Sequence, residues 1–206
     1  MPKPPIYGQE HDSMQVLSTR LPDVKLIEPE VYTDSRGFFL ETFQCDRYAH
    51  HHVGPSFVQD NVSFSRQGIL RGMHLQWPHP QGKLVYVLQG EVFDVAVDLR
   101  MGSPTFGQWV GEILSADNKR QLWVPQGFAH GFCVLSETAL FAYKCTDFYH
   151  REAEVSLCWN DPDVNIDWPL AEPQLSPKDA QAPYLADINK AHLPQYDQVN
   201  PWQPQR

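Results

Sequence analysis

Hydrophobic and polar residues alternate along much of the chain after residue 57. In residues 91–99, every odd-numbered position from Phe93 to Leu99 is apolar, whereas Asp94 and Asp98 occupy even-numbered positions. A repeat of two is typical of a β-strand, whose side chains point alternately to its two faces. Short strands separated by Gly, Pro, Asn or Ser are typical of an antiparallel sandwich or barrel. Further strands are predicted at residues 83–88, 107–114, 120–124, 131–135, 139–146 and 155–159.

Shorter elements are predicted ahead of this strand-rich region. Residues 15–17 and 25–27 have strand patterns. Residues 34–43 begin with a turn signal and continue as a strand on which Glu41 lies among aromatic residues. Residues 44–52 are predicted to contain one of the few helical turns.

Two local signals predict how elements begin or connect. The strand patterns at residues 83–88 and 91–99 are separated by a Gln-Gly dipeptide, which predicts a β-hairpin. Ser176 is a good N-cap residue, a proline follows it, and Asp179 stands at the third helical position. The one clear helix is therefore predicted to begin at Ser176.

The chain is expected to form a single domain. Its 206 residues fit one large domain or two small ones, and no repeat or shift in composition marks a second. A hydrophobic content of 42% is enough for a substantial core. We expect residues 1–13 to be a flexible N-terminal extension, residues 14–186 to form the domain, and residues 187–206 to form a C-terminal tail.

Charge and hydropathy exclude several classes of partner. The formal net charge of −9 argues against nucleic acid and anionic membrane surfaces as partners. No apolar run approaches the length of a membrane span, and the polar N-terminus has no apolar signal core. A cytoplasmic location is therefore expected. The four cysteines form no Cys-x-x-Cys pair, so neither a zinc ribbon nor a redox motif is indicated.

Residues 70–76 place a guanidinium and an imidazole close together around a glycine. On a regular strand Arg71 and His74 would point to opposite faces, but a bulge at Gly72 would bring them to one face. Arg71 would then bind an anionic group while His74 accepts a proton beside it. The alternative is a structural histidine near a loop and a solvated arginine.

The surrounding sequence favours a cationic pocket. Residues 61–90 contain no Asp or Glu, although the chain has 25 acidic residues, and they include Arg66, Arg71 and Lys83. A basic pocket in an acidic protein suits an anionic small molecule. A chance gap in a hydrophobic sheet would produce the same composition.

A metal site is a competing interpretation. Metal-dependent enzymes such as dioxygenases use about three imidazoles and a carboxylate that converge on the ion. The region of His74 offers a lone histidine, and His79 lies beyond a proline that separates it from that region. Three adjacent imidazoles at residues 50–52 cannot converge from one regular element, so we interpret them as an exposed helix end. We therefore predict no metal ligands.

Ten blocks of sequence, in register from about residue 14 to residue 185, resemble the dTDP-4-dehydrorhamnose 3,5-epimerase family of nucleotide-sugar enzymes. Each block alone is a weak signal, whereas the ordered set is highly specific. They include Asp-Ser-Arg-Gly-Phe-Phe at residues 34–39, Leu-Arg-Gly-Met-His at residues 70–74 and Pro-Gln-Gly-Phe-Ala-His-Gly-Phe at residues 125–132. The others are at residues 57–61, 81–85, 90–100, 103–107, 143–144, 159–162 and 175–179.

The resemblance implies a fold, an activity and an assembly. The fold is an all-β, antiparallel, cupin-like jelly-roll barrel with a few short peripheral helices. The activity is inversion of C3 and C5 of dTDP-4-dehydro-6-deoxy-D-glucose through enolates, without a cofactor, and the usual destination of the product is a rhamnose-containing cell-surface polysaccharide. The assembly is a homodimer in which N-terminal strands are exchanged. The alternatives that stay open are a mono-epimerase that inverts only C3 or only C5, a non-catalytic sugar-binding cupin and a metal-dependent cupin such as a dioxygenase.

The resemblance also implies roles for individual residues. His74 matches the catalytic base, Asp179 the carboxylate paired with it, Tyr143 the general acid on the opposite face of the sugar, and Lys83 the cation at the enolate oxygen. The positions that match nucleotide-sugar binding, besides Lys83, are Arg36, Glu41, Gln59, Asp60, Asn61, Arg71, His130, Glu154 and Lys178.

These residue types suit the chemistry, because a 4-keto sugar has acidic protons at C3 and C5. Inversion requires a base on one face, an acid on the other and positive charge at the oxygen. Each residue also has a structural explanation. Asp179 could serve only as a capping residue, Tyr143 as a core aromatic, His130 as part of a turn, and Lys83 as an ordinary strand lysine.

Overall fold

The computed structural model describes residues 14–54 and 56–199. The predicted N-terminal extension at residues 1–13 lies outside the described residues, as does the end of the predicted C-terminal tail from residue 200 onward. In the described part, no helix is long and apolar enough to cross a membrane.

Strands account for most of the described regular structure, as the alternating pattern predicts. The single α-helix among these residues is α1 (Cys45–His50), and four 3₁₀ turns lie at Arg151–Ala153, Asp179–Gln181, Leu185–Asp187 and Lys190–His192. The strands are β1 (Met14–Ser18), β2 (Lys25–Pro29), β3 (Val31–Asp34), β4 (Gly37–Leu40), β5 (Gln59–Arg66), β6 (Leu70–Gln76), β7 (Lys83–Gln89), β8 (Glu91–Asp98), β9 (Trp109–Ser115), β10 (Gln121–Val124), β11 (Phe128–Val134), β12 (Thr138–Cys145) and β13 (Glu154–Ser156).

The strands form two facing antiparallel sheets. One has six strands in the order β1-β2-β10-β7-β12-β5, and the other has five in the order β13-β6-β11-β8-β9. The strands β3 and β4 form a separate two-stranded hairpin. This is the predicted all-β, cupin-like jelly roll, and it places β6 and β11 in one sheet and β7 and β12 in the other.

The predicted hairpin between residues 83–88 and 91–99 is wrong. The strand β7 pairs with β10 and β12 of the six-stranded sheet, whereas β8 pairs with β9 and β11 of the five-stranded sheet. The chain turns at Gly90, whose φ is +80°, and crosses from one sheet to the other. The sequence signal identified the turn, but turn chemistry does not specify which strands pair across it.

Both faces of β8 are buried, so its alternation separates two cores. Val92 and Ala96 face the core between the sheets, whereas Val95 and Val97 belong to a second cluster outside the five-stranded sheet. The C-terminal segment covers that second cluster, for example with Leu193, which is almost fully buried. Residues 187–199 therefore pack against the domain rather than leaving it.

Two predictions for peripheral elements need correction. The helix predicted from Ser176 is a single 3₁₀ turn, because a proline follows Ala182 and holds that residue in an extended conformation. Ser176 still acts as the predicted cap, since its Oγ accepts a hydrogen bond from the Asp179 backbone N–H at 3.1 Å. Glu41 was expected on a strand, but β4 ends at Leu40 and Glu41 lies in the following loop.

Candidate active site

A cavity of about 480 Å³ opens between the two sheets, and a smaller one of about 330 Å³ adjoins it. Three side chains line both cavities: His74 from β6, Lys83 from β7 and Tyr143 from β12. The histidine belongs to the five-stranded sheet, whereas the lysine and the tyrosine belong to the six-stranded sheet. A ligand lying between the sheets would therefore have the imidazole on one side and the phenol on the other.

A bulge in β6 brings Arg71 and His74 to the same cavity, as predicted. His74 lies opposite His130 and Arg71 lies opposite Phe132, so β6 contains one residue more than β11 over this stretch. Gly72 makes this possible, because its φ is +124° and a Cβ at this position would lie 2.6 Å from the Cα of Gly131.

His74 forms a close pair with a buried carboxylate. Its Nε2 lies 2.6 Å from Oδ1 of Asp179, which is only 4% exposed. Burial alone would raise the pKa of Asp179, but the hydrogen bond and charge of His74, together with the hydroxyl of Ser176, lower it overall. Asp179 is thus held as a carboxylate, which fixes the orientation of the imidazole.

The second ring nitrogen of His74 lies near the carboxylate of Glu154. Its Nδ1 lies 3.6 Å from Oε1 of Glu154, beyond ordinary hydrogen-bond distance. Glu154 itself accepts hydrogen bonds from the Lys178 ammonium at 2.6 Å and from the Tyr149 hydroxyl at 3.0 Å. Since Nε2 is held by Asp179, Nδ1 is the nitrogen available to accept a proton.

The phenol of Tyr143 lies on the sheet opposite His74. Burial raises the pKa of the Tyr143 hydroxyl above its ordinary value, so the group keeps its proton at neutral pH. Its ring packs beside Phe141, with the two centroids 6.0 Å apart. A protonated phenol fixed on one wall is suited to donate a proton to a ligand between the sheets.

Lys83 places a cation at the boundary of the two cavities. Burial lowers the pKa of the Lys83 ammonium below its ordinary value, while Cys145, Glu154 and Asp94 oppose that shift. A partly desolvated ammonium interacts strongly with any negative charge that develops next to it.

His130 occupies the floor of the larger cavity and contacts a second buried acid. Its Nε2 lies 2.9 Å and 3.0 Å from the two oxygens of Asp94, which is fully buried. Burial raises the pKa of Asp94, and the charge and hydrogen bond of His130 oppose that shift. The His130 ring is also stacked on Phe141, so this histidine is held in place from two sides.

Polar side chains with predicted binding roles extend along both cavities. Gln59 and Asn61 line the smaller cavity together with Glu154, whereas Arg71 and Lys178 line the larger one. Arg71 is oriented by a hydrogen bond from its Nε to the hydroxyl of a neighbouring serine at 2.9 Å. Arg71, Lys83 and Lys178 thus border the larger cavity. Arg71 and Lys83 come from the acid-free stretch of sequence, whereas Arg66 from the same stretch lines neither cavity.

Three predicted binding residues do not reach these cavities. Arg36 is highly exposed on the β3–β4 hairpin and forms an ion pair with Asp34. Glu41 forms an ion pair with Arg47. Asp60 points to the outer face of β5 and contacts the Lys144 ammonium at 3.0 Å. Within the described residues, these three side chains therefore lie outside the cavities that His74 and Tyr143 line.

Comparison with known proteins identifies the family. The model of the family described as dTDP-4-dehydrorhamnose 3,5-epimerase matches residues 18–187. The chain belongs to the dTDP-4-dehydrorhamnose 3,5-epimerase family.

Several dTDP-4-dehydrorhamnose 3,5-epimerases are similar to this chain over most of its length. The Pseudomonas aeruginosa dTDP-4-dehydrorhamnose 3,5-epimerase is 57% identical over 85% of this chain and 98% of its own length. The Neisseria gonorrhoeae enzyme is 55% identical over 87% of this chain, which spans only 55% of that protein. The Legionella pneumophila epimerase, solved in complex with dTDP-4-keto-L-rhamnose, aligns with a TM-score of 0.87 and 58% identity over 89% of this chain and 98% of its own.

The same fold occurs in a protein with a narrower activity. A 3'-monoepimerase from Streptomyces bikiniensis, solved with dTDP-quinovose, aligns with a TM-score of 0.82 and 33% identity over 87% of this chain and 93% of its own. Members of this fold thus include both double and single epimerases, so the fold alone does not distinguish the two reactions.

Some lining residues were not singled out from the sequence. Ser63 faces the larger cavity, and its buried Oγ has no hydrogen-bond partner in the described structure. Its position two residues after Asn61 on the same strand was a signal, because alternate residues share a face. Gln174 and Leu175 also line this cavity, but they come from an irregular segment whose position follows no local pattern.

Proposed function

We propose that the chain inverts C3 and C5 of dTDP-4-dehydro-6-deoxy-D-glucose to give dTDP-4-dehydro-L-rhamnose. One observation carries the proposal: His74 and Tyr143 project from opposite sheets into the same cavity, which Lys83 also lines. Relatives that are more than 50% identical are dTDP-4-dehydrorhamnose 3,5-epimerases, which supports the same reaction. The enzyme is thus an isomerase acting on a nucleotide sugar.

The reaction follows from the acidity of protons next to the ketone. His74 Nδ1 removes the proton from C3 or C5, and the electron pair moves to the C4 oxygen as an enolate. Lys83 stabilises the developing negative charge, and Asp179 stabilises the imidazolium. The Tyr143 hydroxyl then protonates the carbon from the opposite face, which inverts the centre. Solvent then takes the proton from the imidazolium and returns one to the phenolate, which resets both groups, and the same sequence at the second carbon completes the conversion.

The diphosphate of the nucleotide explains the cations around the larger cavity. Arg71 and Lys178 line it, and arginine in particular forms paired hydrogen bonds with phosphate oxygens. Gln59 and Asn61 in the smaller cavity offer amide donors and acceptors for sugar hydroxyls or for the base. These assignments agree with the positions that the family resemblance implies.

Solvent hydrogen exchange tests the reaction directly. When the substrate is incubated with the protein in deuterated water, proton removal and return should introduce deuterium at C3 and at C5. Label at C3 alone would indicate a mono-epimerase like the 3'-monoepimerase from Streptomyces bikiniensis. Failure to label either carbon would exclude an epimerase and leave a sugar-binding protein.

The enzyme is proposed to act as a homodimer in which the N-terminal part of each chain completes the site of its partner. Arg36 and Glu41 match binding positions, yet they lie away from the cavity of their own chain. Phe38 and Phe39 on the same hairpin are 59% and 68% exposed, and Phe64 on the outer face of β5 is 56% exposed. Large exposed aromatic side chains of this kind often mark an interface.

Mixing two inactive variants tests this assembly. Arg36→Ala and His74→Ala should each be inactive alone, but a mixed dimer contains one site with both residues intact. Refolding an equal mixture should restore about a quarter of the wild-type activity, because half of the dimers are mixed and each has one complete site. A monomeric mass in light scattering, or no recovery on mixing, would contradict strand exchange.

A cytoplasmic location is proposed on the basis of the cysteines. All four are free thiols, including the exposed Cys45 and the partly exposed Cys158. Unpaired exposed thiols are typical of a reducing compartment. Recovery of the native protein in a periplasmic or secreted fraction would contradict this location.

A further inference from the structure

We propose a transition-metal site, formed by His79, Asp147 and His150, at the edge of the barrel beside the smaller cavity. Among residues 14–54 and 56–199, these three are the one group of three or more His, Cys, Asp or Glu side chains whose ligand atoms all lie within 4.8 Å of one another. They line neither cavity, so the inference does not depend on the proposed epimerisation.

The side chains of the cluster already face one another. The rings of His79 and His150 are stacked with their centroids 4.3 Å apart and their planes tilted by 21°. Nδ1 of His79 lies 4.0 Å from Oδ2 of Asp147. Metal–nitrogen bonds of about 2.0–2.1 Å require a slightly closer approach. The His79 side chain is 52% exposed, so we expect its ring to turn toward the ion.

A buried glutamine fixes the backbone that carries both histidines. Gln76 is only 4% exposed, and its Nε2 donates to the carbonyl oxygens of His79 at 2.6 Å and of Phe148 at 3.0 Å. Its Oε1 accepts a hydrogen bond from the His150 N–H at 2.7 Å. The two loops that supply the ligands are therefore tied to one rigid strand, which lowers the entropic cost of bringing them together.

A second glutamine and two carboxylates also help to position the side chains of the cluster. Gln81 Nε2 donates to the Asp147 carbonyl at 2.8 Å, and Oδ1 of Asp147 accepts from the Phe148 N–H at 2.8 Å. This leaves Oδ2 of Asp147 directed toward His79. Glu152 lies 3.5 Å from Nδ1 of His150, where it can orient the ring as outer carboxylates do for metal-bound histidines.

The ligand types define the class of ion. Two imidazoles and one carboxylate suit Zn²⁺, Co²⁺, Ni²⁺ or Cu²⁺, whereas Mg²⁺ and Ca²⁺ prefer oxygen ligands alone. Three protein ligands also leave a coordination position for water. Tyr149 lies between Asp147 and His150 in sequence and lines the smaller cavity. A bound ion would therefore hold in place the loop that carries Tyr149.

The test is a zinc titration of the chain without an affinity tag. We expect one Zn²⁺ per chain in calorimetry, with the dissociation constant raised at least tenfold by His79→Asn and by His150→Asn. The control replaces the adjacent histidines at residues 50–52 by asparagine, which should leave the affinity unchanged. The metal-free activity of each variant should equal that of the wild type, because neither histidine lines the cavity.

A measurement on the wild-type chain avoids reliance on variants. Added Cu²⁺ should broaden the NMR signals of His79 and His150 at the lowest metal concentration, ahead of all other histidines. Unchanged zinc affinity in both variants, or first broadening at residues 50–52, would overturn the site.

Discussion

Replacing His74 by alanine should abolish epimerisation while leaving nucleotide binding nearly unchanged. The imidazole is the proposed base for both carbons, and a positioned general base contributes about 10²–10⁴-fold to a proton-transfer step. Since both inversions depend on it, we expect the loss in kcat to lie at the upper end of that range. Product formation followed by NMR would measure the loss, and calorimetry with dTDP would measure binding.

His192→Ala is the matched control for this substitution. His192 is an exposed histidine on a short 3₁₀ turn near the C-terminus, and it does not line either cavity. Its replacement should leave both activity and dTDP binding at the wild-type level. If His74→Ala instead kept its deuterium exchange and lost dTDP binding, the imidazole would be a binding group and the assignment of the base would be wrong.

The strands were largely predictable because alternation is a local property. The residues of β8 were assigned to their two faces from sequence alone, and both faces are as expected. Strand pairing, by contrast, depends on parts of the chain that are distant in sequence. Nothing near Gly90 specifies that β7 and β8 enter different sheets, because that choice depends on β10, β11 and β12.

The candidate site shows the same division between local and distant effects. Gly72 signalled a bulge, and the bulge is present. Glycine is needed at this position because a Cβ would collide with Gly131 of the neighbouring strand. The role of Asp179 was ambiguous, since capping explained it equally well. The structure separates the two functions: Ser176 caps the turn, while the Asp179 carboxylate contacts His74, a residue 105 positions away in sequence.

Replacing Tyr143 by phenylalanine should separate proton removal from inversion. The phenol is the proposed proton donor, and Phe keeps the ring that packs beside Phe141. Inversion should fall by about 10²–10⁴-fold, the range for loss of a general acid. His74 still lies with Asp179, so it can remove a proton and return a deuteron to the same face. Deuterium should therefore enter the substrate without a change in configuration.

The configuration of the recovered sugar decides this second prediction. In Tyr143→Phe, mass spectrometry should show labelled dTDP-4-dehydro-6-deoxy-D-glucose, and NMR coupling constants should show that C3 and C5 keep their original configuration. Tyr184→Phe is the matched control, because Tyr184 is an exposed tyrosine away from both cavities. Wild-type rates of inversion in Tyr143→Phe would mean that water, or another side chain, supplies the proton. The two-sided mechanism would then lose Tyr143 as its acid.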